Sequence, residues 1–405
     1  MAISLQAPTN LFPISGVRIA TAAAGIKYND RDDLVLFELC EAANTTIVFT
    51  KNQFCAAPVT VARNHLKQSQ PTYLLINSGN ANAGLGKQGI SDAQQICTAL
   101  AIESNCNVHA VLPFSTGVIG EPLPVEKITH KLPALLSSLK EDAWLDAAKA
   151  IMTTDTVAKG CSEQLNLDGV TITITGICKG SGMIRPNMAT MLAYVATDLE
   201  IGGEQLSAQL EHAVDQSFHR ITVDGDTSTN DACAFVATGK SKIKFNDLSK
   251  QEKEQFLSTL NAIFLKLAQS IIRDGEGVTK YIAVKVEQAK SKSIARDIAF
   301  TIAHSPLVKT AAFASDPNWG RILAAAGRAT EESMSMENIS LFINKLKVID
   351  NGVLADSYSE ENAQIEMQKN EIEFCLLLNE GDFEETVWTT DFSYDYVKIN
   401  AEYRT

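Results

Sequence analysis

The 405-residue sequence is poor in several features that identify particular classes of protein. Its eight cysteines form no Cys-x-x-Cys pair and have no histidine at ligand spacing, which argues against a structural zinc site. Positive charge is scarce, because 35 Lys and Arg stand against 48 Asp and Glu for a formal net charge of −13. Nucleic-acid binding needs clustered Lys and Arg. The composition therefore favours small-molecule chemistry over a nucleic-acid partner.

The sequence also lacks the segments that direct a chain to or through a membrane. Its first ten residues, MAISLQAPTN, have neither the basic region nor the apolar stretch of a secretory signal, and no long apolar run free of charges occurs later. Together with the scattered cysteines, these absences predict a cytoplasmic protein with reduced thiols and no membrane partner. Hydrophobic content of 45% and charged content of 20% are typical of a folded globular chain.

Candidate strands and helices alternate along the chain. Residues 33–39 (DLVLFEL) and 72–79 (TYLLINSG) are predicted to be buried strands. Residues from Ser91 (SDAQQICTALAIESN) predict a helix with a Ser or Asp cap. Residues 170–177 (VTITITGI) alternate Ile with Thr, which predicts a strand with one buried face. The alternation predicts a mixed α/β fold.

The C-terminal half predicts a long helix and further sheet. Residues 249–274 (SKQEKEQFLSTLNAIFLKLAQSIIRD) carry apolar side chains at helical spacing. Asn351-Gly352 can supply a tight turn between strands. The chain is longer than a usual domain and has no marked linker, so one large core with an added lobe and two domains are both open.

A glycine-rich stretch interrupts these elements at residues 179–198, KGSGMIRPNMATMLAYVATD. There is no Gly-x-Ser-x-Gly elbow, and no motif ties one of the six histidines to a Ser or Cys. A threonine can be activated differently, since cleavage of the peptide bond before it frees an α-amino group that serves as its base. Such an amine titrates at about 7.7 to 8.0, so a useful fraction is neutral at cytosolic pH. Thr190 is the candidate nucleophile, and the glycines and proline allow the strained turn that attack on the Ala189 carbonyl needs.

Two other interpretations of this stretch remain open from the residues alone. A glycine-rich stretch between strands is commonly an ordinary loop. KGSG also suggests phosphate binding, although GSG lacks the second half of either glycine-rich nucleotide fingerprint and is followed by a candidate strand.

Residues 179–192, KGSGMIRPNMATML, resemble the signature of the glutamate N-acetyltransferase family, also called ornithine acetyltransferases. In that signature the Thr of Ala-Thr-Met-Leu is both the autoproteolysis site and the acyl-carrying nucleophile. Further blocks resemble the family in the expected order, so the similarity covers nearly the whole chain. They are STGVIGEPLP (115–124), VDGDTSTNDA (223–232), RDGEGVTKY (273–281), DPNWGRILAAAGR (316–328) and the terminal YVKINAEYRT (396–405).

The resemblance implies self-cleavage between Ala189 and Thr190. It would give an α chain of residues 1–189 and a β chain of residues 190–405 that share one core and pair as an α2β2 heterotetramer. The implied fold is an N-terminal-nucleophile-like αββα sandwich of the ornithine acetyltransferase or DmpA-like type, with a smaller C-terminal lobe from about residue 285.

The resemblance also implies which residues form the active site. Thr190 would be the nucleophile, and Thr116 and Gly117 would form the oxyanion hole. Hydrogen-bond donors are needed there because each tetrahedral intermediate carries negative charge on oxygen. Lys179 can hold a carboxylate, and Glu276 can attract the cationic amine of ornithine. The implied substrate-binding residues are Thr156, Lys179, Thr190, Glu276, Asn400 and Thr405, with no metal ligand among them.

The implied reaction is ping-pong acetyl transfer. Thr190 takes the acetyl group of N2-acetyl-L-ornithine and passes it to L-glutamate, giving L-ornithine and N-acetyl-L-glutamate in arginine biosynthesis without metal or tightly bound cofactor. Some members of the family also accept acetyl-CoA as donor. Two alternatives are an N-terminal-nucleophile amidohydrolase or aminopeptidase, which gives the acyl group to water, and an uncleaved amino-acid-binding protein.

Some blocks differ from the family pattern or have no assigned role. Gly84-Leu85 stands where the family has a Cys or small residue followed by Thr. The polar clusters at residues 224–231 and 316–321 are predicted to support the site or subunit contacts, without individual roles.

Overall fold

The computed structural model describes residues 2–185, 191–329 and 334–402, and these form a mixed α/β protein, as predicted. The strands are β1 Val17–Ala22, β2 Leu34–Leu39, β3 Asn44–Phe49, β4 Tyr73–Asn80, β5 Val111–Val118, β6 Lys159–Leu167, β7 Val170–Lys179, β8 Leu192–Thr197, β9 Ile221–Thr222, β10 Ala232–Ala237, β11 Tyr281–Ala289, β12 Ser340–Ile343, β13 Leu346–Asp350, β14 Val353–Leu354, β15 Glu371–Leu377 and β16 Phe383–Thr390. The α-helices are α1 Ala57–Leu66, α2 Gly86–Ser104, α3 Val125–Thr129, α4 Leu132–Ser137, α5 Trp144–Ala150, α6 Gly203–Asp215, α7 Lys250–Arg273, α8 Lys292–Ala303, α9 Pro306–Phe313, α10 Trp319–Ala326, α11 Glu360–Met367 and α12 Tyr394–Ala401.

The chain forms two compact units. The larger unit comprises Gln6–His219 and Asp226–Ile271, and the smaller comprises Met1–Leu5, Arg220–Gly225 and Ile272–Thr405. Within the described ranges, no helix combines the length and apolar character needed to span a bilayer.

The larger unit is built on two sheets that face each other. One has the strand order β1-β2-β4-β5, and the other has the order β3-β10-β8-β7-β6. Phe37 of the first sheet stacks on Tyr194 of the second, with ring centroids 5.2 Å apart, and meets Trp144 of α5 edge-on at 5.5 Å. The buried side chains between the sheets therefore form one apolar core.

Helices cover the outer faces of both sheets. Ile96 and Leu100 of α2 pack in one apolar cluster with Leu36 and Leu75 of the four-stranded sheet. On the other side, Phe264 of α7 lies edge-on to Phe235 of β10, with ring centroids 6.2 Å apart. The layers therefore run helix, sheet, sheet, helix, which confirms the predicted αββα sandwich. The apolar residues of α7 that were predicted at helical spacing are buried, namely Phe256, Leu260, Ile263, Leu267 and Ile271.

Strand β7 differs from its prediction because it is buried on both faces. The prediction of one buried face was wrong, since every residue from Ile172 to Lys179 is buried. β7 lies between β6 and β8, and α7 packs so closely on it that a Cβ at Gly176 would lie 2.9 Å from Leu267. The apolar core between the sheets thus covers one face of β7, and helix α7 covers the other.

Helix α2 begins earlier than predicted. It begins at Gly86, has no side-chain N-cap, and contains the Ser91 and Asp92 that were predicted to cap it. Asp92 accepts a hydrogen bond from Gln88 at 2.7 Å within the helix. Asn82 donates from Nδ2 to the Gly89 carbonyl at 2.9 Å, so a loop side chain holds the first turn instead.

The smaller unit contains a seven-stranded sheet with the order β14-β13-β12-β15-β11-β16-β9. Buried residues of α8, α9 and α10 form its apolar core with this sheet. β13 and β14 pair with Asp350 opposite Val353, and the intervening Asn351 and Gly352 have φ values of 47° and 78°. This confirms the predicted tight turn.

The segment predicted to be cut joins two neighbouring strands. β7 and β8 pair antiparallel from Ile174 opposite Thr197 to Lys179 opposite Leu192. Ala189 and Thr190 themselves lie outside the described residues.

Candidate active site

The two residues predicted for the oxyanion hole lie near the end of β5. This strand runs parallel to β4 with Thr116 opposite Ser78 and Gly117 opposite Gly79, and the register shifts at the next residue, Asn80. Gly117 has φ of +135°, and a Cβ there would lie 2.2 Å from the carbonyl carbon of Gly79. Only glycine fits this approach of two backbones, which fixes the peptide groups around Gly117.

A buried contact joins Thr116 to Lys179. Lys179 donates from Nζ to Oγ1 of Thr116 at 3.2 Å, and both side chains are buried. Thr116 belongs to the four-stranded sheet, whereas Lys179 is the last residue of β7 in the other sheet. Two of the predicted site residues are therefore brought together across the sandwich.

Asp155 is a charged residue beside this contact that the sequence analysis missed. Its carboxylate accepts from Nζ of Lys159 at 2.6 Å and from the backbone N–H of Gly180 at 2.7 Å. Burial alone would raise the pKa of Asp155, but the charges of Lys159 and Lys179 and these hydrogen bonds hold that pKa well below its usual range. Asp155 is therefore an anion that anchors the residue directly after Lys179.

Thr156 follows Asp155 in the chain and has an exposed side chain. Its neighbour Asp155 thus ties the peptide segment that carries one predicted substrate contact to the segment that carries another, Lys179. The four-residue spacing of Asp155 and Lys159 was no signal for this arrangement, because that spacing indicates an ion pair only on a helix and these residues are not helical.

The polar cluster at residues 224–231 contains two further side chains at the site that sequence reasoning left without roles. Asp231 accepts at Oδ1 from the backbone N–H of Met191 at 2.9 Å. Asn230 donates from Nδ2 to the carbonyls of Ala81 at 2.6 Å and Ser115 at 3.0 Å. Met191 and Ser115 directly adjoin the predicted catalytic residues Thr190 and Thr116 in the chain, and Ala81 directly follows β4.

The smaller unit contains a separate pair of predicted substrate residues. Asn400, on the last turn of α12, donates from Nδ2 to Oε2 of the buried Glu276 at 2.9 Å. Ser393 caps α12 and donates to the Gly277 carbonyl at 2.5 Å, so the helix is tied to the loop that carries Glu276.

The predicted site residues that the structure describes therefore fall into two groups, one in each compact unit. Thr116, Gly117, Lys179 and Thr156 belong to the larger unit, and Glu276 and Asn400 belong to the smaller. Thr190, the cleavage partner Ala189 and the terminal Thr405 lie outside the described residues.

Comparison with known proteins identifies the family. Residues 18–405 match the family model of the ArgJ family. The arginine biosynthesis bifunctional protein ArgJ of Psychrobacter arcticus is 49% identical over 402 residues, which is 99% of each chain. The protein of the same name from Methylococcus capsulatus is 50% identical over 395 residues, covering 98% of this chain and 97% of that one. A crystal structure of the ArgJ protein of Bacillus halodurans is 34% identical, with a TM-score of 0.48, and covers 51% of this chain and 97% of that chain. The family match and the two sequence identities confirm the resemblance found in the sequence, and this chain belongs to the ArgJ family.

Proposed function

We propose that this chain transfers the acetyl group of N2-acetyl-L-ornithine to L-glutamate through an acyl-enzyme on Thr190. The products are L-ornithine and N-acetyl-L-glutamate. As a member of the ArgJ family, the chain is an acyltransferase of arginine biosynthesis, and the hydrolase alternative is not favoured. Its relatives are called bifunctional proteins, and the proposal includes acetyl-CoA as a second acetyl donor.

The observation that carries this proposal is the contact between Lys179 and Thr116. It sets a buried cation 3.2 Å from a residue assigned to the oxyanion hole. An N-acetylated amino acid has its carboxylate and its acetyl carbonyl only a few bonds apart. The pair therefore suits a substrate that needs a cation for the first group and hydrogen-bond donors for the second.

The proposed chemistry uses Thr190 as nucleophile and base. Its α-amine takes the proton of its hydroxyl while the hydroxyl oxygen attacks the acetyl carbonyl, and Thr116 and Gly117 stabilise the resulting oxyanion. The amine then gives the proton to the leaving nitrogen of ornithine, which leaves an acetyl ester on Thr190. The amino group of L-glutamate attacks that ester and regenerates the free threonine. None of these steps needs a metal or a tightly bound cofactor.

The remaining predicted residues hold the substrate in this proposal. The carboxylate of Glu276 attracts the side-chain ammonium of the ornithine moiety, and Lys179 holds the α-carboxylate. Thr156, Asn400 and Thr405 supply neutral hydrogen bonds. The α and β chains, residues 1–189 and 190–405, pair as an α2β2 heterotetramer in the cytoplasm; family membership supports this assembly.

Self-cleavage and product analysis test the proposal together. Freshly purified wild type and Thr190→Ala are analysed by intact mass and N-terminal sequencing, and both are then incubated with N2-acetyl-L-ornithine with and without L-glutamate. We expect two chains for the wild type, the second beginning Thr190-Met191-Leu192, an intact variant, and N-acetyl-L-glutamate from the wild type alone. A folded, uncleaved wild type that is fully active would contradict the mechanism, and release of acetate regardless of L-glutamate would favour the hydrolase.

A further inference from the structure

We infer that Asn230 and Asp231 are positioning residues that fix the nucleophile segment and the oxyanion segment against each other, and so set the rates of self-cleavage and acetyl transfer. This inference rests on the proposed function. It is drawn from the hydrogen bonds of two adjacent residues to two segments of chain that are distant in sequence.

Asp231 holds the segment that begins β8. Its Oδ1 accepts from the Met191 N–H at 2.9 Å, and the N–H of Ala232 donates to the Met191 carbonyl at 3.2 Å. The N–H bound by Asp231 belongs to the peptide group that joins residue 190 to residue 191. The carboxylate therefore restrains the start of the segment that directly follows the proposed nucleophile.

Asn230 holds the segment that ends in the oxyanion hole. Its Nδ2 donates to the Ser115 carbonyl at 3.0 Å, directly before Thr116, and to the Ala81 carbonyl at 2.6 Å. Its Oδ1 accepts from the hydroxyl of Thr229 at 2.6 Å. The amide thus uses both of its donors and its acceptor, so the side chain is held in a single orientation.

The two residues act as one brace because they are consecutive and buried. Asn230 is 6% exposed and Asp231 is 1% exposed. Directly before β10, the Asp231 side chain reaches the segment that begins β8 and the Asn230 side chain reaches β5. Since neighbouring Cα atoms are about 3.8 Å apart, the positions of the two catalytic segments are coupled through one peptide group.

This brace matters because both reactions depend on close alignment. Self-cleavage brings the Thr190 hydroxyl onto the preceding carbonyl, and acetyl transfer brings it onto a carbonyl whose oxygen faces the donors near Gly117. A displacement of about 1 Å in such a geometry can cost about 100-fold in rate. Lys179 and Glu276, the residues proposed to bind the substrate charges, contact other side chains, Thr116 and Asn400. Loss of the brace should therefore lower kcat and leave KM nearly unchanged.

The test compares Asp231→Ala, Asp231→Asn, Asn230→Ala and Asn230→Asp with a control, Thr238→Val. Thr238 is buried near the opposite end of β10 and donates to the Ser15 carbonyl at 2.8 Å, so the control also loses a buried hydrogen bond of this strand region. Self-cleavage is followed by intact mass. kcat and KM are measured per free Thr190 N-terminus after prolonged incubation, and thermal unfolding is recorded for every protein.

We expect Asp231→Ala and Asn230→Ala to slow self-cleavage at least about 10-fold and to lower kcat about 10- to 100-fold, with KM within about 3-fold of wild type. Asp231→Asn keeps an oxygen that accepts from the Met191 N–H and should recover most of the rate. Asn230→Asp sets a carboxylate against two carbonyl oxygens and should recover none. Thr238→Val should lower the Tm and leave both rates unchanged.

Rates within about 2-fold of wild type in both alanine variants, equal losses in Thr238→Val, or no recovery in Asp231→Asn would each overturn the inference. A wild type that makes no N-acetyl-L-glutamate would instead refute the proposed function, and the cleavage rates would still test the brace.

Discussion

Lys159 and Asp155 form a 2.6 Å ion pair in which both side chains are completely buried. Removing one partner of such a pair leaves an uncompensated charge in the interior, which costs about 3–5 kcal/mol. We expect Asp155→Asn to lower the free energy of unfolding by about that amount at pH 7, measured by urea denaturation. The matched control is Glu254→Gln, because the Lys250–Glu254 pair has the same sequence spacing but is largely exposed, and it should change stability by about 0.5 kcal/mol at most. Equal effects of the two variants would contradict the prediction.

The same carboxylate should make stability depend on acid pH. Burial disfavours the charged form of Asp155, but the two lysines and its hydrogen bonds outweigh burial and hold its pKa in the folded state below the unfolded value of about 3.9. Its stabilising contribution is therefore complete above that pH and is lost as the pH falls towards the folded pKa. The difference in unfolding free energy between wild type and Asp155→Asn should shrink below about pH 4. A constant difference from neutral pH to pH 2.5 would rule this out.

Lys179 should contribute mainly to substrate binding. Lys179→Met removes the cation proposed for the substrate carboxylate, and a hydrogen bond to a charged group contributes about 1.5–3 kcal/mol. We expect the KM for N2-acetyl-L-ornithine to rise at least about 10-fold in steady-state assays. Lys149→Met, at an exposed position of α5, is the control and should leave KM unchanged. An unchanged KM in Lys179→Met would remove Lys179 from the substrate site.

Gly117 should tolerate no side chain, whereas Gly120 should tolerate one at moderate cost. Both have positive φ, +135° and +87°, but a Cβ at Gly117 meets the Gly79 backbone and one at Gly120 has nothing within 4 Å. Gly120→Ala should therefore cost only the conformational strain of about 1–2 kcal/mol. Gly117→Ala should cost about 3 kcal/mol or more in urea denaturation, because overpacking adds to that strain. Similar losses of stability in Gly117→Ala and Gly120→Ala would show that β4 and β5 can move apart to accept a side chain at Gly117.

Glu276 should distinguish the two substrates of the reaction. N2-acetyl-L-ornithine carries a side-chain ammonium, whereas L-glutamate carries a carboxylate, so only the first is attracted by Glu276. Glu276→Gln should raise the KM for N2-acetyl-L-ornithine about 10-fold without raising that for L-glutamate. Asp395→Asn, at an exposed position on the first turn of α12, serves as the control. Equal increases in the two KM values would show that Glu276 acts only on the shape of the site.

Motifs in the sequence were enough to predict the family and, through the resemblance, the αββα sandwich. They named Thr116 and Lys179 as separate site residues but did not predict the hydrogen bond between them. It did not reveal the Asp155–Lys159 pair, since nothing local marks those two charges as buried. The role of Asp231 was also hidden, because its partner Met191 lies 40 positions away. For β7, the alternation of Ile and Thr predicted one solvent-exposed face. That face is buried by α7, a helix distant in sequence that the local pattern could not reveal.

The cluster at residues 316–321 is another case in which the sequence did not reveal the partners of its polar side chains. Asn318 caps α10 by accepting from the N–H of Arg321 at 3.3 Å, and Arg321 donates to the Leu307 carbonyl at 2.9 Å at the start of α9. These bonds give the motif a role in joining two helices of the smaller unit. A sequence pattern alone could mark the cluster as unusual but could not name its partners.

Strands β7 and β8 are paired over six residue positions in one sheet, on opposite sides of the proposed cut. Once cut, the sheet is shared by two polypeptides, although it was assembled as a single one. A denatured precursor can refold by itself at any dilution. In a denatured mature enzyme, the α and β chains must first associate by collision. Refolding thereby changes from a first-order to a second-order process. Self-cleavage therefore makes the refolding rate depend on protein concentration. A fully cut population regains its fold more slowly the more dilute it is, whereas an uncut population does not.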